Sequence, residues 1–334
     1  MKIISRFLLS QYIFILGKFY KLSIALPGSI LNNAQTMELR TYLAGQIARA
    51  AAIFCVDEII IFDDTARMTS EFVFWFEIFF TKYTYFSGSW IGSTSIQQGL
   101  ECNFQLAKIL EYLECPQYLR KAAFPLQNAL KYCGILNPLD SIHHLRQDDL
   151  HMPYREGIVL DKPVKKGRGP FCYVGLKKEV QLDSEINLPP GTRVTVKIAD
   201  FSSEMKNFRG SLTSPAKIRS EAGLYWGYKV HLALSLNDAV HVKRYDVIIG
   251  TSDKGDPIEK FTLPLGEKND ILIVFGGLEG LEAAIDADES IETNDPAQFF
   301  DFYLNAVPDQ GSRTIRTEEA IPISLTALKM KLDS

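Results

Sequence analysis

Cysteine is scarce in this chain and badly spaced for the chemistry it usually announces. Cys55, Cys102, Cys115, Cys133 and Cys172 are odd in number, and no two stand at metal-ligand spacing. That argues against a disulfide framework and a zinc site, and fits small buried apolar side chains in a reducing compartment. Histidine is equally sparse. Three of five cluster as His143, His144 and His151 in HHLRQDDLH, at the spacing of no standard metal site, so no metal is expected. An excess of positive charge is missing too. Lys plus Arg number 36 against 40 Asp plus Glu, a net −4, so nucleic-acid binding would need a local basic patch.

A membrane-spanning run is also lacking. The N-terminal MKIISRFLLSQYIFILGKFYK is broken by Gln11, has no small-x-small cleavage site before Lys18, and is too short to cross a bilayer. Residues 1–21 read as a leader or as a strand packed on the core. Residues 68–98 hold ten aromatics within positions 72–90, but Glu77 and Lys82 interrupt them. They read as an atypical insertion to which no function is attached, and no membrane partner is expected.

What is present begins at LSIAL (22–26), a short apolar run ended by Pro27-Gly28. ELRTYLAGQIARAAAIF (38–54) has helical periodicity, and DEIIIF (57–62) suits a buried parallel strand. The order implies a βαβ unit. LAKILEYLECPQYLRKAAF continues as helix, with Pro116 ending or kinking it. From about Tyr154 short β-like runs alternate with Gly and Pro, which predicts a small barrel or sandwich over 155–220. After Gly223 the runs YKVHLALSL, YDVIIGTS and ILIVFGG restore the α/β pattern, and EEAIPISLTALKMKL closes the chain as helix. The expected organisation is an α/β domain in two pieces, 22–154 and 221–334, with a β-rich insertion between them.

The insertion carries the local charge. Between 155 and 178, seven basic residues (Arg155, Lys162, Lys165, Lys166, Arg168, Lys177 and Lys178) face only Glu156 and Asp161, a balance of +5. A solvated loop cluster would look the same, but Phe171 and Tyr173 lie between the charges, as stacking on unpaired bases requires. Three loops in the C-terminal part follow strand-like runs or precede the last helix: GTSDKG (250–255), GGLEG (276–280) and NAVPDQGSRTIRT (305–317). Ligands of α/β sheets sit at strand carboxyl ends, where glycine lets the backbone approach. Each loop alone reads equally as a turn. None contains GxGxxG or GxxxxGK[ST], which disfavours an ordinary Rossmann or P-loop site.

The series PGSILNNAQ, ELRTYLAGQIARA, CVDEII, LAKILEYLECPQYLRKA, NPLD, EAGLYWGY, IGTSDKG, VFGGLEGLE and GSRTIRTEEAI resembles the eukaryotic and archaeal branch of the SPOUT methyltransferases that carry an OB-like insertion, over about 20–65 and 99–330. The resemblance implies a C-terminal deep trefoil knot, a homodimer, and S-adenosyl-L-methionine (SAM) held by the three loops. Thr251, Lys254, Gly276, Gly277, Asn305, Ala306, Gly311, Ser312, Arg313, Thr314 and Ile315 match the cofactor site. Lys254 stands where Arg is frequent and keeps the charge without the fork. Gly45–Ala51 is similar to the GxIxRxA motif, whose arginine acts near the partner subunit's cofactor, so Arg49 becomes the catalytic candidate. Read bare, it is equally a surface helix arginine paired with a carboxylate. Glu318 and Glu319 are candidate proton acceptors, though a helix N-terminus favours acids for structural reasons. Asn32 and Arg40, with the insertion's Lys165, Lys166, Arg168, Phe171, Tyr173, Lys177 and Lys178, are the expected RNA contacts.

The implied activity is methylation of a base, uridine N3 foremost, in large-subunit ribosomal RNA, in the nucleus, nucleolus and cytoplasm. The competing expectation is a binding or scaffold protein of the same fold at spindle poles, centrosomes or kinetochores. A metabolic nucleotide-binding enzyme lacks a phosphate motif.

Overall fold

The computed structural model describes residues 20–68, 96–201, 205–263 and 269–332, so residues 1–19 of the expected 1–21 leader and most of the 68–98 insertion lie outside the described residues, while Tyr20 and Lys21 open the first strand. Six strands form one parallel sheet: β1 (Tyr20–Pro27), β2 (Glu58–Phe62), β8 (Lys229–Ala233), β9 (Val247–Pro257), β10 (Asn269–Phe275) and β11 (Phe302–Asn305). Their spatial order is β11-β9-β10-β1-β2-β8. The helices between them are α1 (Met37–Ile53), α2 (Ile96–Glu114), α3 (Gln117–Ala123), α4 (Pro215–Ala222), α5 (Leu236–His241), α6 (Gly280–Ala287), α7 (Pro296–Phe299) and α8 (Thr317–Leu332).

Alternation along each strand sorts the core. Leu22, Ile24, Ile59, Ile61, Ile271 and Ile273 point to one face and pack with α1, α2 and α8. Ala25, Ile60, Leu272 and Val274 point to the other and pack with α5 and α6. A sheet covered on both faces is why these strands read as nearly continuous apolar runs. In α1 the Thr36 hydroxyl accepts from the Leu39 N–H and caps the first turn, while Leu43, Ala44, Ile47, Ala48 and Ala51 form its buried side.

Five strands close a barrel in the order β3-β4-β5-β7-β6: β3 (Tyr154–Val159), β4 (Phe171–Tyr173), β5 (Val180–Leu182), β6 (Arg193–Ile198) and β7 (Phe208–Thr213). All pairs are antiparallel except β5 with β7. The barrel is inserted between α3 and α4 and docks on the end of α2. There Arg193 grips Glu114 with both terminal nitrogens (2.7 and 3.1 Å) and donates from Nε to Glu156 (2.8 Å). Glu156 also accepts from Thr195 and from the Trp226 indole (2.7 and 2.8 Å). Burial alone would raise the Glu114 carboxyl, but the Arg193 charge and hydrogen bonds together with the His143 contact (3.0 Å) outweigh it and hold Glu114 well below the usual carboxylate range.

No cluster of His, Cys, Asp and Glu among the described residues could hold a metal ion. No described helix is long and apolar enough to cross a membrane.

Candidate active site

Strand order reverses between β1 and β10. From β1 the chain builds outward through β2 to β8, and β10, β9 and β11 fill the other side. The carboxyl ends of β1 and β10 therefore flank a topological switch point, where open α/β sheets bind ligands. Gly276-Gly277 stands there, directly after β10. A Cβ on Gly276 would lie 2.7 Å from the Gly280 backbone, so that tight turn requires glycine. A Cβ on Gly277 would come within 3.0–3.2 Å of Asp64, Pro27 and Ser29, so its bare Cα faces the ends of β1 and β2.

The other two loops meet this one. Strand β9 leaves its ladder with β11 after Gly250 and rejoins it at Asp256, looping out Thr251–Gly255 between. Asn305, at the end of β11, donates to the Asp253 carbonyl (2.7 Å) and accepts from the Val307 N–H (2.9 Å), tying the third loop to the first. Thr317 donates to the Gly276 carbonyl (2.8 Å), tying the start of α8 to the second. Three segments distant in sequence thus share one end of the sheet.

Within this cluster the expected residues have different surroundings. The Thr251 hydroxyl donates to the Val274 carbonyl (2.9 Å). Lys254 reaches Glu282 of α6 (2.9 Å), which also accepts from Tyr303 (3.2 Å). Burial opposes Glu282 ionisation, but the Lys254 contact prevails and its carboxyl is lowered. Ala306 and Ile315 are half-buried, while Gly311, Ser312, Arg313 and Thr314 are exposed, with the Ser312 hydroxyl closing a turn on the Thr314 carbonyl (2.9 Å).

The two acids of α8 part company. Glu319 accepts from the Arg316 N–H (3.1 Å) and caps the helix. Glu318 has a carboxylate oxygen buried with no hydrogen-bond partner among the described residues. It follows Thr317, whose hydroxyl holds the Gly276 carbonyl.

Two residues absent from the sequence expectations belong to the same cleft. The Ser29 hydroxyl donates to Asp64 at 2.5 Å, and both face Gly277. Burial pushes the Asp64 carboxyl above its ordinary value against that hydrogen bond. The signal was Asp63-Asp64 immediately after an apolar strand.

Arg49 lies elsewhere. It is twelve positions along α1 from Met37, about 18 Å at the helical rise, and α1 begins at the cleft end of the sheet. Its guanidinium donates to the Leu139 carbonyl (2.5 Å), a main-chain acceptor and not the carboxylate of the bland expectation. Nearer the cleft, Arg40 donates to Asn32 (3.2 Å) and to the Ala34 carbonyl (3.4 Å), bringing the expected pair together.

The basic residues of the barrel divide. Lys165, Lys166 and Arg168 are exposed on the loop before β4, Lys177 and Lys178 follow it, and β4 separates the two groups. Tyr173 packs edge-on against Tyr118 of α3 (6.3 Å between centroids), so its ring is committed to the docking surface. Phe171 is half-buried, and Lys178 sits over the Phe208 ring (5.2 Å). Arg155 is fully buried, donating to the Arg146 and Asp149 carbonyls (2.7 and 2.9 Å), and leaves the basic surface altogether.

A family model described as "Putative RNA methyltransferase" matches residues 21–328. The chain belongs to that family. It is 50% identical over 318 residues to a mouse protein named 28S rRNA (uridine-N(3))-methyltransferase, covering 94% of this chain and 77% of that one. A human protein of the same name is 50% identical over 94% of this chain and 79% of its own length. A Drosophila melanogaster protein of that name is 49% identical over 93% of this chain and 62% of its own. The matched span contains all three loops, the barrel and most of α8.

Proposed function

We propose that this family member transfers a methyl group from SAM to N3 of a uridine in large-subunit ribosomal RNA. The observation that carries the reading is the meeting of the three loops at the switch point, in a chain half identical to relatives bearing that activity in their name. The cleft suits such a donor. Gly276 and Gly277 bare the main chain, and the buried Glu318 oxygen waits for an N–H or O–H donor. Thr251, Lys254, Asn305, Ala306 and Gly311–Ile315 would complete the hold. When bound, SAM supplies an electrophilic methyl on a sulfonium.

The remaining work belongs to the chain. The loops must orient the uridine edge in line with the methyl. The N3 proton must leave, and Glu318 is freer to accept it than the helix-capping Glu319, with Asp64 the other acid at the cleft. Arg49 would stabilise charge on the base. Its distance along α1 from its own loops supports action in the site of a second copy, and hence a homodimer. The path of 305–317, from the sheet edge at β11 back to Gly276 before α8 packs on the face shared with α1, supports the trefoil knot. An experimental chain trace with these loops unthreaded would remove that part.

The barrel supplies the RNA-binding arm, and a ribosomal RNA substrate supports a nucleolar location, which imaging of the tagged chain checks. Among the described residues no feature favours the spindle or kinetochore scaffold. Calorimetric titration with SAM tests the reading: saturable binding is expected, and none at millimolar ligand would refute it.

A further inference from the structure

The loops 160–170 and 183–192 meet at one end of the barrel, and no helix residue among the described residues lines the space between them. Between the loops lies an open cavity of about 290 Å³ whose apolar lining includes Val159, Leu160, Val164, Ile186, Leu188 and Pro190. Its floor joins the barrel core through Val159 and Leu188. Val164 and Ile186 are each 40% exposed, so two branched aliphatic side chains stand in water on either side of the opening. Ligand pockets usually begin at roughly 300 Å³, which makes this a slot for one planar heterocycle and not for two.

The rim is polar and charged. Lys162 is neutralised by Glu179 (2.5 Å). Lys165, Lys166 and Arg168 are exposed and make no ion pair among the described residues. The Asn187 amide and the Asp161 and Glu185 carboxylates stand at the edge, Glu185 taking a long contact from the Gly167 N–H (3.4 Å). We propose that this slot takes an unpaired base of the RNA strand outside the methylated nucleotide, with Lys165, Lys166 and Arg168 on the neighbouring phosphates. The inference rests on the reading of the chain as an RNA methyltransferase. It differs from stacking on Phe171 and Tyr173, because the slot grips the base between aliphatic walls.

Three unpaired cations beside an apolar slot with hydrogen-bonding groups at its lip match a nucleotide: flat apolar faces, a polar edge and an anionic backbone. A peptide would also enter such a slot, with an aliphatic side chain inserted and acidic flanks. The polar lip would then have nothing to recognise on the inserted group, which favours RNA.

The test is fluorescence polarisation of the full chain with a labelled single-stranded RNA of about 12 nucleotides. Val164→Glu and Ile186→Glu place a carboxylate in the slot without touching the three cofactor loops. Each should weaken RNA binding about tenfold or more and leave SAM affinity and the melting temperature unchanged. Lys165→Ala with Lys166→Ala should lower the salt slope of binding by about 1.4, since two single-strand phosphate contacts are lost. Slot variants that bind RNA like the parent, while the lysine variant weakens, would overturn the base site and leave the methyltransferase reading standing. An acidic, leucine-bearing peptide that occupies the slot while RNA ignores it would also overturn it. If the parent binds neither RNA nor SAM, the broader reading fails with it.

Discussion

Replacing Arg193 by methionine tests what holds the barrel to the α/β domain. The substitution keeps most of the side-chain bulk and removes the guanidinium that joins Glu114 of α2 to Glu156 of β3. The side chains of Glu114 and Glu156 are only 8% and 4% exposed, so water cannot take the place of Arg193. Breaking a buried ion pair from one side costs about 3–5 kcal/mol, because the remaining charge stays desolvated. Two carboxylates lose their cation here, but Glu156 keeps Thr195 and Trp226 and Glu114 keeps His143 (3.0 Å), which holds the loss within that range. Chemical denaturation of the full chain reads it as a lower midpoint. Adding Glu114→Gln to Arg193→Met should return part of the loss, since one buried charge goes with its partner. A single variant costing under about 1 kcal/mol would refute the reasoning, because that is the value of a solvent-screened pair.

Other predictions follow from the cleft and its supports. Gly276→Ala forces a Cβ against the Gly280 and Leu281 backbone and should weaken SAM binding by calorimetry at least tenfold, whereas Gly134→Ala, which meets nothing within 4 Å, should leave it unchanged. If Arg49 serves the partner's loops, mixing Arg49→Ala with Gly276→Val chains, each inactive alone, should restore about one quarter of parental activity, because half the dimers then carry one intact site; no recovery after subunit exchange would contradict action in trans. Burial lowers His144 from 6.5 to about 4, so the folded protein resists a proton that the unfolded chain accepts. Stability from this group is complete above pH 6.5 and falls by up to about 3 kcal/mol as pH drops to 4. Glu114, lowered in the fold, adds a loss in the same direction only once pH enters the ordinary carboxylate range. His144→Gln should flatten the upper part of that acid limb in denaturation midpoints.

The sheet was legible because both its faces are buried, so IIIF, VIIG and ILIVF stand out as apolar runs in the order a βαβ fold requires. Strand β11 escaped because FYLN is four residues long, and its place in the sheet comes from pairing with β9. Turn chemistry and alternation announced the barrel, yet the alternation could not say which loops share an end. The +5 segment therefore looked like one patch and folds as two, with Arg155 buried and part of neither. The candidate site was legible in its glycine loops, which depend on local backbone shape. Ser29 with Asp64, 35 positions apart, and Glu114 with Arg193, 79 apart, were not, since only the fold makes them neighbours. Arg49 was found by motif alone, and its contact with Leu139 had no signal in the residues around it.

The central claim is that these loops present a methyl donor to a uridine in ribosomal RNA. Incubating the protein with SAM bearing an isotopic methyl and unmodified large-subunit RNA, then digesting to nucleosides for mass spectrometry, tests it directly. Labelled 3-methyluridine, absent with the Gly276→Ala chain, is the predicted result. RNA recovered with no labelled base would contradict the account.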